Sequence, residues 1–309
     1  MSDVPETTLT PPFGCVLVPY DGSEPSKAAL NLAIALLPSP SRLVVMTVVD
    51  ESQVLAQATT TTMAYDPTPL FDAVEGQGQA TLAEATQMCT AAKLAPVSEL
   101  VHDTPVSGIL SMIETHGVDL VVMGTHARTG AARLFLGSTT DGVLRATSTP
   151  VLTVRSGDAI SGAPFATALL GVDDSDASDA AAALAARLVR AFGTHVIACN
   201  AVDTTPMYES MAAYPFDPQE LLKEMRTEAA AVVTKSLKRA SLENDAVTVK
   251  IVEGNAASVL VETAEDAKAS IVVLGSHGRR GLRRFFLGSV AEEVVRRSSI
   301  PVLVAREAV

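Results

Sequence analysis

The sequence predicts an α/β protein of two tandem, open, five-stranded parallel sheets flanked by helices. Three observations lead there. The chain repeats itself: Cys15–Leu36 resembles Thr167–Leu188, with Asp21 aligned to Asp173, and Asp119–Val154 matches Ser270–Ala305 over 36 positions at a constant offset of 151. A repeat of that length is a whole domain rather than one unit of a solenoid. Within each copy, short Val-rich runs alternate with helix-length segments. Those runs are almost continuously apolar, as the strands of a parallel sheet covered on both faces must be.

Cys15–Pro19 is the first strand of copy one. At Asp21-Gly22-Ser23 the pattern switches to an apolar periodicity through Ala28, Leu32, Ala35 and Leu36. This marks a β-loop-α unit with Asp21 or Ser23 placed to cap the helix. Leu43–Val49 is the second strand. Residues 51–72 are rich in Thr and Pro without periodicity and are expected to form a long covering loop. A helix is expected over about 75–94, a third strand over Val97–His102, a helix over Pro105–Thr115 and a fourth strand over Leu120–Met123. A loop then leads to a helix over Thr139–Ala146, and Val151–Val154 closes the copy. The strands of copy two are Ala168–Val172, His195–Ala201, Val247–Val252, Ile271–Leu274 and Val302–Ala305. The Gly/Ser/Pro-containing run SGDAISGAP separates the copies, giving domain one at 1–155, a linker at 156–163 and domain two at 164–309.

Composition narrows the function. The 309 residues carry 23 Lys plus Arg against 35 Asp plus Glu, a formal charge of −12 that opposes indiscriminate nucleic-acid binding. Through Arg155 there are 7 basic and 15 acidic residues and beyond it 16 and 20. The copies therefore carry −8 and −4, and copy two is the less repulsive toward an anion. Apolar types make up 48% and aromatics 4%, with no Trp, so the cores are built from Val, Leu, Ile and Ala. Mean hydropathy is +0.29, yet no stretch of about 18 uncharged apolar residues exists to cross a bilayer. The N-terminal segment holds Asp3 and Glu6 with no basic run before an apolar core, unlike a secretory signal. Cys15, Cys89 and Cys199 are far apart and odd in number, which excludes a disulfide framework and a multi-thiolate metal site. A cytoplasmic protein with neither a membrane nor a nucleic acid as partner is expected.

The candidate site lies beyond the first and fourth strands. In copy two the fourth strand runs into Gly275-Ser276-His277-Gly278-Arg279-Arg280-Gly281, followed by Gly288-Ser289-Val290 at the start of a helix. Open parallel sheets bind ligands outside the carboxyl ends of their strands, where strand order reverses. Gly275 and Gly278 lack Cβ and can bring backbone close to a ligand. Free N–H groups at a helix start, with a hydroxyl beside them, suit phosphate oxygens. Asp173, ending the first strand, suits a sugar hydroxyl better than a phosphate. A nucleotide with its ribose near Asp173 and its phosphates near Gly288-Ser289 satisfies both ends. No G-x-x-x-x-G-K-[ST] segment exists, nor a strand-opening G-x-G-x-x-G with an acidic residue about 20 positions later, so P-loop and dinucleotide chemistry are unsupported.

In this motif both copies resemble the universal stress protein family, whose ATP-binding members carry G-x-x-G, nine residues, then G-[ST] after the fourth strand. Copy two matches throughout, with Gly275, Gly278, Gly288 and Ser289 at the required spacings. The resemblance covers nearly the whole chain. It implies an adenine nucleotide alpha hydrolase-like fold with strand order 3-2-1-4-5, and two copies packed as an internal pseudo-dimer through their last strands. It assigns nucleotide contacts to Asp173, Ala201 at the end of the second strand and Val290, and Arg279 is a separate candidate on its charge. In copy one the corresponding residues are Asp21, Val48, Gly124, Arg128, Gly137, Ser138 and Thr139, while Ala127 replaces the second glycine. That methyl crowds a phosphate, or demands a costly backbone angle, or fits if the residue has ordinary dihedrals; copy two is therefore the expected stronger site. The implied ligand is ATP, with Mg²⁺ carried on its phosphates, and ADP, AMP or cyclic AMP as alternatives. Association into a homodimer of tandem chains, and an unidentified protein partner, are also implied.

The other candidates carry two readings each. Arg279 and Arg128 serve phosphate neutralisation or a solvated surface, whereas Arg280, Arg283 and Arg284 read as surface. His126 and His277 recur in equivalent loops without a nucleophile or paired carboxylate and read as loop hydrogen-bonders. Asp173–Asp176 reads as a helix start rather than a metal site, and Ser23 and Ser175 as caps, since no G-x-S-x-G elbow surrounds them. Met207–Met211, with Tyr208 and Tyr214, reads as a lid or interface loop. A binding and regulatory protein is expected, with no catalytic residue and no protein-ligated metal. A structural or interaction protein without functional nucleotide binding, or a slow ATP hydrolase, is the alternative.

Overall fold

A computed structural model describes residues 11–36, 42–52, 68–125, 136–157, 165–205, 217–243, 245–278 and 287–306. Copy one contributes β1 (Cys15–Pro19), α1 (Glu24–Leu36), β2 (Arg42–Val49), α2 (Thr68–Ala91), β3 (Val97–His102), α3 (Pro105–His116), β4 (Leu120–Thr125), α4 (Ser138–Ala146) and β5 (Val151–Arg155). Copy two contributes β6 (Thr167–Gly171), α5 (Asp176–Phe192), β7 (His195–Val202), α6 (Pro218–Arg239), β8 (Val247–Glu253), α7 (Ala256–Asp266), β9 (Ile271–Gly275), α8 (Ser289–Arg297) and β10 (Val302–Ala305).

The strands form one ten-stranded sheet in the order β3-β2-β1-β4-β5-β10-β9-β6-β7-β8. Each half has the expected 3-2-1-4-5 order and is parallel within itself. The halves are not two separate sheets, however. β5 and β10 pair antiparallel, Val151 opposite Val304 and Thr153 opposite Val302, so the sheet is mixed and continuous. The reason lies in the last strands. Each would otherwise be an exposed apolar edge, and pairing with its own duplicate removes both edges at once.

Strand residues alternate between two cores, one on each face of the sheet. Val16 and Val18 of β1 join α1, α2, α5 and α6 on one face. Cys15 and Leu17 join α3, α4, α7 and α8 on the other. Both faces are buried, which explains why the strands read as uninterrupted apolar runs rather than alternating ones.

Arginines reinforce the join. The Arg155 guanidinium donates to the Val295 carbonyl at 2.9 Å and to the Arg296 carbonyl, at the end of α8. Its duplicate Arg306 donates to the Leu144 carbonyl near the end of α4. Each copy thus satisfies the terminal carbonyls of the other's last helix, where cations are also favoured by the helix dipole. Arg145 bridges the two helices, reaching Asp141 on its own helix at 2.9 Å and Glu292 across the join at 3.2 Å.

One expectation is corrected. Helix α2 begins at Thr68, inside the expected loop over 51–72. Pro69 sits in its first turn, where a proline costs no hydrogen bond. Gly76 and Gly78 lie within the helix, as the expected span placed them. A Cβ at Gly78 would come 2.8 Å from Val49 Cγ2 and 3.0 Å from Leu100 Cδ1, so this glycine lets the helix lie close on β2 and β3. Residues 53–67, the rest of that loop, fall outside the described residues, as does most of the linker.

Gly124 and Gly275, the first motif glycines, are packing glycines. A Cβ at Gly124 would lie 2.4 Å from the Pro25 carbonyl carbon, and one at Gly275 2.6 Å from that of Ala177. The start of the first helix of each copy thus rests on the fourth strand, and this close approach, rather than approach to a ligand, requires the missing Cβ. Gly275→Ala is expected to cost about 1–3 kcal/mol, since backbone rather than a side-chain tip must yield; a urea unfolding midpoint measures it.

Burial pushes the thiol pKa of all three cysteines up, that of Cys89 to about 11. At pH 8 the native protein is therefore expected to react negligibly with a thiol reagent, while the denatured chain titrates all three cysteines.

Candidate functional site

The site begins at the turn after the first strand of each copy. In copy one the Asp21 carboxylate accepts from the Ser23 N–H at 3.0 Å, and Gly22 between them has φ +76°. In copy two Asp173 Oδ1 accepts from the Ser175 N–H at 3.2 Å and the Ser175 hydroxyl at 2.6 Å, with Asp174 at φ +64°. The same left-handed residue therefore turns the chain in both copies. Ser23 and Ser175 cap the following helices, accepting from the Ser26 N–H at 3.3 Å and the Ser178 N–H at 3.1 Å. Ser26 and Ser178 in turn accept from the aspartates' own N–H groups, at 3.4 and 3.2 Å. Each aspartate is thus oriented by its own turn before any ligand arrives.

The second strand is tied to this turn by a buried polar side chain. The Thr47 hydroxyl donates to the Tyr20 carbonyl at 2.9 Å in copy one. In copy two the Asn200 amide donates to the Val172 carbonyl at 2.7 Å. Val48 and Ala201 follow these residues and are half-buried at the sheet edge. Sequence reasoning passed over Thr47 and Asn200, whose only signal was a polar residue within an otherwise apolar strand.

The fourth side is the start of the last helix. Gly137 and Gly288 are N-cap residues with extended backbone, φ −60° and −65°, and no side chain caps either helix. Ser138 and Ser289 are the first helical residues, followed by Thr139 and by Val290, which is 39% exposed. In copy one these pieces enclose a cavity of about 470 Å³, a volume suited to a small-molecule ligand. Among the described residues it is lined by Asp21, Val48 and Gly137–Thr140, and by Tyr20, Met46 and Ile109, which the sequence reading did not place there. Ile109 comes from α3, and only packing brings it to the site. Burial and the Glu84 carboxylate raise the Tyr20 phenol well above its ordinary pKa, so it stays protonated.

Copy two presents the same turn, second-strand side chain and helix start. The Ser175 hydroxyl lies 3.1 Å from the His277 carbonyl, and the Gly288 N–H donates to the Ser276 carbonyl at 2.7 Å. A Cβ on Gly278 would lie 2.6 Å from Asp173 Oδ2. Gly278 thus approaches the aspartate. His277 bonds through Nδ1 with the Ser276 hydroxyl at 2.9 Å. Ala127, Arg128 and Arg279, with His126, Arg280, Arg283, Arg284 and Met207–Met211, Tyr208 and Tyr214, lie outside the described residues. Among the described residues no group of three His, Cys, Asp or Glu is placed to hold a metal ion, and no helix is long and apolar enough to cross a membrane.

The sheet order reverses between β1 and β4, and the cleft opens there, at the carboxyl ends of the strands. This defines a tandem, doubly wound α/β protein with a cleft at the switch point of copy one, the place where open parallel sheets bind ligands. The universal stress protein family pattern matches residues 12–155 and 164–306, and the chain belongs to that family. It is 31% identical over 241 residues to universal stress protein Rv2005c of Mycobacterium tuberculosis, spanning 75% of this chain and 78% of that one. It is 35% identical over 140 residues to universal stress protein MJ0531 of Methanocaldococcus jannaschii, covering 45% of this chain and 81% of that protein. The crystal structure of a universal stress protein from Archaeoglobus fulgidus superposes with a TM-score of 0.67 at 22% identity, covering 96% of this chain and 97% of that one, and shares its fold.

Replacing Asn200 with Leu removes the buried side-chain donor to the Val172 carbonyl while roughly keeping the volume. A loss of about 1–3 kcal/mol is expected in chemical denaturation.

Proposed function

We propose that this universal stress protein binds an adenine nucleotide, ATP foremost, as a regulatory ligand. The observation that carries the reading is the cavity joining Asp21 to the uncapped start of α4. Its two ends differ in chemistry as a nucleotide does. Asp21 is a carboxylate acceptor, suited to ribose hydroxyls and unsuited to phosphate. The N–H groups of Ser138 and Thr139, with their hydroxyls, are donors in the positive field of a helix start. Val48, Met46 and Ile109 supply an apolar wall for the base. Asp173, Ala201, Gly278, Gly288, Ser289 and Val290 are the counterparts in copy two. Arg128 and Arg279, which follow the fourth strands in sequence, are the candidate cations of the reading. The donor set fits a nucleotide whose Mg²⁺ is held by phosphate and water, because main-chain N–H groups cannot ligate a cation.

The role is binding rather than catalysis, in two nucleotide-binding units at 1–155 and 164–309. A ligand that holds α4 stabilises whichever arrangement of α4 and α8 it prefers, and so whichever surface a second tandem chain or another protein reads.

Native mass spectrometry of protein purified without added ligand, followed by titration with ATP and with cyclic AMP, tests this. ATP is expected to bind, and Gly137→Val, whose extended backbone accepts valine, is expected to weaken the copy-one event at least tenfold. No ATP bound at millimolar concentration, or unchanged binding in the variant, removes the reading. Cyclic AMP binding more tightly than ATP reassigns the ligand.

A further inference from the structure

We propose that Arg145 of copy one serves the phosphate end of both clefts: it neutralises Asp141 at the start of α4 and, across the join, Glu292 at the start of α8. The proposal rests on the nucleotide reading and adds to it a positioning residue that copy two receives from copy one.

The two carboxylates stand where an anion at either helix start would feel them. Each follows an N-cap glycine by four residues and closes the first turn of its helix. The Asp141 N–H donates to the Gly137 carbonyl and the Glu292 N–H to the Gly288 carbonyl, both at 2.9 Å. A carboxylate in a first turn suits the helix dipole. It repels a phosphate drawn to the same helix start, and a cation paired with it offsets that repulsion.

Duplication supplies one arginine for each carboxylate, one helical turn further on: Arg145 after Asp141 and Arg296 after Glu292. Acid-to-base pairs four residues apart are natural partners on a helix, and Glu293 and Arg297 form one at 2.9 Å. The structure departs from that symmetry. Arg145 Nε donates to both Asp141 carboxylate oxygens at 2.9 Å, and its Nη2 donates to Glu292 Oε2 at 3.2 Å. Glu292 is thus held from across the join. Arg296 makes no ion pair among the described residues, and its Nε is buried without a hydrogen-bond partner. The Arg145, Asp141 and Glu292 side chains are 31%, 35% and 36% exposed, so solvent and salt screen only part of their field. Removing Arg145 leaves a bare carboxylate in the first turn of each helix, whereas removing Arg296 leaves neither. One like charge under such partial screening weakens an anion by about three- to tenfold.

Titration of the full-length chain with ATP by native mass spectrometry tests this in the Gly137→Val protein, where the remaining event belongs to copy two. There Arg145→Met is expected to weaken ATP about three- to tenfold, although the residue lies in copy one, and the loss to shrink as ammonium acetate is raised. Adding Glu292→Gln is expected to restore the event, a rescue that a merely structural arginine would not permit. Arg296→Met is expected to leave it within about twofold. An event unchanged in Arg145→Met, a loss that Glu292→Gln does not recover, or an equal loss in Arg296→Met overturns the proposal. So does the absence of any event in Gly137→Val while wild type binds ATP, and all four outcomes leave nucleotide binding by copy one standing. No ATP bound by wild type at millimolar concentration refutes the nucleotide reading, and this proposal with it.

Discussion

The geometry of the cleft depends on how closely the first helix of each copy lies on its fourth strand. Main-chain atoms of Pro25 and Ser26 stand where a side chain on Gly124 would be, and those of Ala177 and Ser178 where one on Gly275 would be. That approach sets the β1–α1 turn beside the loop leaving β4. With any side chain in the way the turn carrying Asp21 or Asp173 would be held away from the helix start it faces. A serine cap and a buried serine hydroxyl then fix the carboxylate within the turn. The acceptor end and the donor end of the cleft are positioned by main chain and by short side chains, which have little freedom to lose when a ligand arrives.

The join between copies adds a second constraint. Pairing β5 with β10 closes two edges, and Arg155 and Arg306 cross it to cap the helices that begin at the two clefts. Helices α4 and α8 thus have one end at a site and the other held by the opposite copy, with Arg145 and Glu292 between them. Each of these nine-residue helices, about two and a half turns long, therefore runs directly from its cleft to the join.

Much of the fold was legible. Strand after strand fell where apolar runs ended at glycine or polar residues, because burial on both faces leaves an unmistakable pattern. The start of α2 was not, since the run over 51–72 is rich in Thr and Pro and carries no helical periodicity. Pro69 is harmless in a first turn, and Gly78 answers to Val49 and Leu100, which are distant in sequence. Asp21, Gly137, Ser138 and Thr139, which line one cleft, were singled out through the internal repeat and the family resemblance. Tyr20, Met46 and Ile109 were not, because apolar wall residues look like any other core residue until the packing is known.

By itself the sequence determined the duplication, the parallel character of each half and the chemical character of the residues at the two ends of the cleft, since periodicity, glycine spacing and charge are local properties. Only the tertiary structure decided that the halves form one mixed sheet and that the first motif glycine serves helix packing. Each of these depends on which atoms meet across more than a hundred residues of chain, as Ser175 meets His277 and Arg155 meets Val295. A motif records which residues are present, whereas the contact between Gly278 and the Asp173 carboxylate exists only once the chain has closed on itself.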